Sequence, residues 1–273
     1  MAQPPDAAQR GAPAVTLEER TGTPSGIARA AAQGGLARRA GHLVTDLIAR
    51  LRQRRWAHLA VVWLRLLIGF AFLPAGLKKI LGQPFTDPAN HGAFHDFLHA
   101  FRDTGAFYHA VGALQVLTAV LLLTQRYAAL GAAMAFPILT AIGAFCWSTA
   151  RLPTTTVVTL MWLGTLGLLL WDVARWRGLL RPDAADGADG PPPPAPPAPP
   201  APGAGSSLIE RGLWEACGLA IVLAYLAVTA LAKEIYRPRG LELTTPAFYL
   251  LVALPLAPII TQVIEQRRRR RQR

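Results

Sequence analysis

Six long apolar runs, at 57–77, 107–124, 128–148, 154–173, 213–232 and 246–264, constrain this chain more than any other feature. A hydrocarbon core of about 30 Å takes roughly 20 residues of helix to cross. Lipid cannot satisfy an exposed backbone donor or acceptor, so each run is expected to be a helix. The fold class that follows is an all-α membrane protein: a four-helix transmembrane bundle, then two further transmembrane helices beyond a proline-rich linker. The 52% hydrophobic share supports this only because it is bunched into blocks rather than spread in short periodic stretches.

Charge is bunched as well. The formal net charge is +12, and the lysines are Lys78, Lys79 and Lys233 alone. Arginines gather before the first run (Arg50, Arg52, Arg54, Arg55), at Arg126, after the fourth run (Arg175, Arg177, Arg181) and at 267–271 and Arg273. With six spans these all fall on one side, and the positive-inside rule places both termini in the cytoplasm of a bacterial inner membrane. A basic total can also mean nucleic acid. Here the arginines flank helix ends and no aromatic-interleaved basic surface accompanies them, so the lipid bilayer is the expected partner and nucleic acid is not.

Along the chain, 1–35 is rich in Ala, Gly, Gln and Pro, has no apolar core of a cleavable signal peptide and reads as a disordered cytoplasmic tail. Residues 36–55 repeat apolar positions at helical steps (Leu43, Val44, Leu47, Ile48, Leu51) and end in arginines. They form either a basic amphipathic helix on the membrane face or an extension of the first span. The four-helix bundle occupies 56–177. The linker covers 178–207; nine of the twelve positions 191–202 are proline, a stiff polyproline II spacer. A two-helix membrane segment fills 208–266 and an arginine-rich tail 267–273. Pro255 and Pro258 make the sixth span the weakest, and a re-entrant course is the alternative.

Within 82–106, Asp87 then Pro88 is a good helix start and Gly105 a good stop. Phe94, Phe97, Leu98 and Phe101 share one face of the short helix expected there. His91, His95 and His99 stand at i, i+4 and i+8, with Asp103 beyond. Neighbouring imidazoles one turn apart can reach one metal, so His91 and His95 are weak metal candidates. The three span about 12 Å, too far for one ion, and a solvated outer face is the favoured reading. Cys146 and Cys217 lie inside separate runs with no CxxC and read as packing residues.

The stretch from Trp63 through Arg65, Gly69 and Gly76 to Lys78 and Lys79 resembles the opening of the DoxX/DoxD family of small membrane proteins. In that family an arginine near the start of the first helix precedes a Phe/Leu run, a glycine and a lysine. The passage from Phe107 through Gly112 and Gln115 to Arg126 and Gly131 continues the likeness, which covers about 60–175. The resemblance implies a four-helix bundle and an association with membrane redox systems. Some relatives are subunits of thiosulfate:quinone oxidoreductase. It therefore implies a possible bound quinone and a separate redox subunit as partner, with no cofactor intrinsic to this chain.

Arg65 is the most informative residue. At its depth a charge costs a few kcal/mol unless it is paired or snorkels. Three fates are open: snorkelling to headgroups, pairing with Asp172, or hydrogen bonding to Gln115. An inward Arg65 can bind a quinone carbonyl, a lipid headgroup or a sulfur oxyanion. Relatives carry a glutamate near Gln115, and an amide cannot relay a proton as an acid can; helix–helix hydrogen bonding is its expected role. Lys78 and Lys79 are expected as interfacial anchors, or as an attraction for an anionic substrate. Arg65, Gln115, Lys78, Lys79 and Asp172 are thus the ligand-binding candidates. The chain carries no haem ligand pair within its runs, no iron–sulfur cysteine set and no dinucleotide glycine fingerprint. Two functions follow: a membrane subunit of a quinone-linked redox system, or a non-enzymatic scaffold or small-molecule permease.

Overall fold

The computed structural model describes residues 43–149, 152–176, 209–235, 241 and 243–271. The tail at 1–35 and the proline-rich run at 191–202 lie outside them. By its contacts the chain divides into two units between Arg50 and Leu51. Among the described residues every regular element is a helix, and five are long and apolar enough to cross a membrane.

Helix α1 covers 43–52 and leaves Leu43, Val44 and Leu47 exposed. The spans follow. α2 is Arg55–Ile80, α4 Ala106–Leu123, α5 Ala128–Ser148, α6 Leu152–Trp171 and α8 Arg211–Ala232. Their ends fall within three residues of the apolar runs, because hydropathy changes sharply where arginine, glycine or a polar pair takes over. Between α2 and α4 sits the short α3, Ala93–Asp103. A four-residue turn of helix, α7 at Val173–Trp176, continues past α6. The sixth run is two pieces, α9 Pro246–Ala253 and α10 Leu256–Arg271, bent by 42°. Pro255 stands at the break, where its ring and missing N–H interrupt the ladder.

α2 against α4 is the tightest pairing. Gly76 and Gly112 face each other across it: a Cβ on Gly76 would sit 2.8 Å from the Gly112 carbonyl oxygen, and one on Gly112 would sit 2.6 Å from Lys79 Cβ. Without side chains the two backbones touch, the close approach that membrane helices use in place of a hydrophobic drive. α4 then packs on α5, and α5 on α6. Leu66, Phe72, Leu73, Leu122, Leu123, Leu139 and Leu168 fill the shared core.

The later helices pack on this bundle. Gly218 of α8 lies directly on the backbone carbonyl of Leu123, at the end of α4. Tyr225 meets Phe70 of α2 edge-on at 5.7 Å. Trp63 of α2 donates its indole N–H to Gln262 of α10 at 3.2 Å.

The loop helix departs from its expected start. Asp87 does not cap it. Its side chain instead accepts from Ala89 N at 2.9 Å and its carbonyl from Asn90 N at 3.0 Å, closing a turn. The helix begins only after Gly92, whose φ of 103° reverses the chain. His91 consequently lies outside it. The stop at Gly105 is where the spacing puts it, with φ 59°. Phe94 and Phe97 reach the ring of Phe145 on α5 at 5.2 and 4.3 Å, so the aromatic face does turn onto the bundle.

Candidate functional site

The spans α2, α4, α5, α6, α8 and the bent pair α9–α10 alternate direction, as the contacts of Arg65 with Asp172 and Gln125 and of Glu265 with Glu210 N require, so this bundle has two ends. At one lie the starts of α2, α5 and α8 and the ends of α4, α6 and α10; it is rich in arginine. At the other lie α3 and the 81–92 loop.

The arginine-rich end holds Arg65, ten residues into α2 and therefore about 15 Å along it. Its Nη2 donates to Asp172 Oδ2 at 3.0 Å, and its Nη1 to Gln125 Oε1 at 3.4 Å. The two side chains of the pair are 13% and 7% exposed. Arg175, one turn on, approaches the other Asp172 oxygen at 3.3 Å. Asp172 is placed by the junction between α6 and α7, where its own carbonyl accepts from Arg175 N at 2.9 Å. Gln125 is placed by the α4–α5 turn, in a left-handed conformation with φ 60°. A single guanidinium thus ties α2 to α6 and to the α4–α5 turn. The Arg65 Nε has no hydrogen-bond partner among the described residues. Arg65 and Asp172, both candidates from sequence, come together; Gln125 carried no sequence signal beyond its polarity at a span end.

Gln115 does not join them. It stands ten residues before Gln125 on α4, about 15 Å away along that axis. It is 2% exposed, and its amide oxygen meets no donor among the described residues. The helix–helix hydrogen bond expected of it is absent there, and an unsatisfied buried amide of this kind costs about 1–3 kcal/mol.

A second charged centre was not anticipated. Glu265 of α10 is fully buried. Its oxygens accept from the Glu210 backbone N–H at 2.9 Å, the Trp214 indole at 3.1 Å and Arg269 at 3.0 Å, and Arg55 stands 3.6 Å away. One carboxylate therefore joins the starts of α2 and α8 to the end of α10. The signal was present as a lone acid in the last apolar turn, four residues before Arg269.

At the other end, Lys79 is buried although charged. Its Nζ donates to the Ala75 carbonyl at 3.2 Å and lies 4.4 Å from the Phe85 ring centre and 5.9 Å from that of Tyr108. Lys78 donates to the Pro84 carbonyl at 3.3 Å. Both lysines bind the loop to α2. The histidines separate: His91 is 3.8 Å from Asp96, His95 contacts Thr86 at 2.6 Å, and His99 donates to the Asn90 carbonyl at 3.2 Å. Among the described residues no group of three or more His, Cys, Asp or Glu could hold a metal. Cys146 and Cys217 are free and buried.

Between α5 and α6 a cleft of about 320 Å³ opens outward, lined by residues including Thr140, Gly143, Trp147, Thr159 and Trp162. Trp147 donates to Thr159 at 3.1 Å and Trp162 to Thr140 at 2.9 Å, which ties the two helices across it.

The class these features define is an all-helical, multi-pass membrane protein with charged clasps at one end. No protein-family model, curated protein or solved structure matches the chain.

Proposed function

We propose that this chain is a non-catalytic membrane subunit, a scaffold in the bacterial inner membrane with both termini cytoplasmic. It would serve a quinone-linked redox system whose electron carrier is a separate protein. One observation carries the scaffold reading: Arg65, the deepest charge, has both Nη groups committed to Asp172 and Gln125. An arginine poised for an anionic substrate keeps those groups available; one that joins three segments is a clasp. The redox association rests on the DoxX/DoxD-like passages, and the orientation on the arginines gathered at one end.

A second reading places a quinone in the α5–α6 cleft. The apolar lining and the presence of both Trp147 and Trp162 in it favour a flat lipophilic ring there. Both indole N–H groups already have threonine acceptors, so the cleft would hold such a ring by stacking and leave its carbonyls without a strong donor. Arg65 fits a quinone carbonyl only through its Nε. Bound quinone would supply two-electron, two-proton redox chemistry; this chain's residues would position the ring and exclude water.

The test is purification of the wild type and of Arg65→Met/Asp172→Leu in mild detergent, with quinone extracted and quantified by mass spectrometry. The scaffold reading expects a folded double variant, with quinone in both proteins at the level of protein-free micelles. Near-stoichiometric quinone in the wild type, lost in a folded double variant, overturns it in favour of an Arg65 site. Quinone kept in that variant but lost in Trp162→Ala supports the cleft.

A further inference from the structure

Arginines outnumber carboxylates at the clasped end, and every carboxylate of the clasps is engaged. Asp172 is taken by Arg65 and Arg175, Glu265 by Arg55 and Arg269, and Glu210 by Arg268 at 2.7 Å. Arg211, Arg267, Arg270 and Arg271 make no ion pair among the described residues, and all four are exposed. The Glu210–Arg268 bridge brings the start of α8 beside the last turn of α10, so these four arginines share one neighbourhood. The α8 N-terminus adds its own partial positive charge.

α10 has two faces. Pro258, Thr261 and Glu265 are buried. On the other side Ile260, Ile264, Arg267 and Arg271 follow one another at steps of three and four, which places them in one row. Ile260 and Ile264 are exposed at 54% and 37%. A strip of bare isoleucine leads directly into bare arginine. A soluble anion has no use for the apolar half of that strip, whereas a phospholipid has both halves: acyl chains beside the isoleucines and a phosphate at the arginines.

We propose that the end of α10, with Arg211 of α8, is a docking site for an anionic phospholipid. Arg267, Arg270, Arg271 and Arg211 receive the headgroup, and Ile260 and Ile264 receive an acyl chain. The site is independent of any redox role. Each arginine near an anionic surface changes binding by about fivefold.

The test is native mass spectrometry of the full chain from micelles titrated with phosphatidylglycerol or with phosphatidylcholine. Retained phosphatidylglycerol should exceed phosphatidylcholine. Arg267→Gln/Arg270→Gln/Arg271→Gln should weaken its retention by about a hundredfold, from three such factors. These side chains lie outside the clasps, so the variant should melt with the wild type in phosphatidylcholine, which checks its fold. Ile260→Asn/Ile264→Asn should weaken phosphatidylglycerol retention too. Equal retention of the two lipids, or phosphatidylglycerol retention unchanged in the folded triple variant, overturns the proposal. So does displacement of the lipid by inorganic phosphate at matching concentration, which would mark a site for a soluble anion.

Discussion

The two ends of the bundle solve one problem differently. Each must keep cationic side chains close to an apolar slab. At the arginine-rich end the solution is neutralisation: Asp172 and Glu265 each sit buried between two arginines, and each joins helices far apart in sequence. At the loop end Lys79 meets backbone carbonyl and ring faces instead, and its partners lie within one short stretch of chain or on the neighbouring helix. The first arrangement sets which helices stand together. The second fastens a loop to helices already paired by Gly76 and Gly112. The difference teaches that a buried charge specifies architecture only when its partner belongs to another part of the fold.

The comparison breaks if the clasps prove dispensable. Removing one partner of a buried ion pair costs about 3–5 kcal/mol, because the other charge is stranded. Glu265→Leu should show the largest loss, since it strands Arg55 and Arg269 and unpairs the Trp214 indole. Unfolding in mixed detergent with Trp fluorescence reads it, and a wild-type melting point would end the clasp interpretation. Asp172→Leu comes next, at about 3 kcal/mol. Adding Arg65→Met should recover most of that, because an apolar pair of similar volume carries no stranded charge. Failure to recover would mean Arg65 has a further partner.

Gly112→Ala should cost about 1–3 kcal/mol through overpacking against Lys79 and α2. A value near zero would mean that α2 and α4 can separate freely. The smallest effect belongs to the loop end. Lys79→Met keeps the apolar stem and removes a cation–π contact of about 2 kcal/mol at a buried site, but the cost of burying the ammonium goes with it, so the net loss is small. A loss as large as that of Asp172→Leu would erase the distinction between the ends.

Much of the fold was legible because lipid reduces folding to hydropathy and length. The ends of α2, α4, α5, α6 and α8 follow where apolar residues stop, and the Pro255 break followed from a missing N–H. The start of α3 was not legible: Asp-Pro serves a helix cap and a tight turn equally, and the left-handed Gly92 decided between them. Of the candidate site, the Arg65–Asp172 pair could be reached by reasoning that a deep charge needs a partner. Gln125 could not, since its position depends on a turn conformation. Glu265 was hidden by its neighbours, for an acid next to five arginines reads as part of a solvated tail until the helix turns it inward.

α2 has 26 residues and is about 39 Å long, against a hydrocarbon core of about 30 Å. It must lean, or carry its first turns out among the headgroups. Those first turns hold Arg55 and Trp63, the residues that meet α10. A thinner membrane therefore asks more lean of α2 and loads the Glu265 junction, whereas a thicker one, closer to the length of the helix, relaxes that joint.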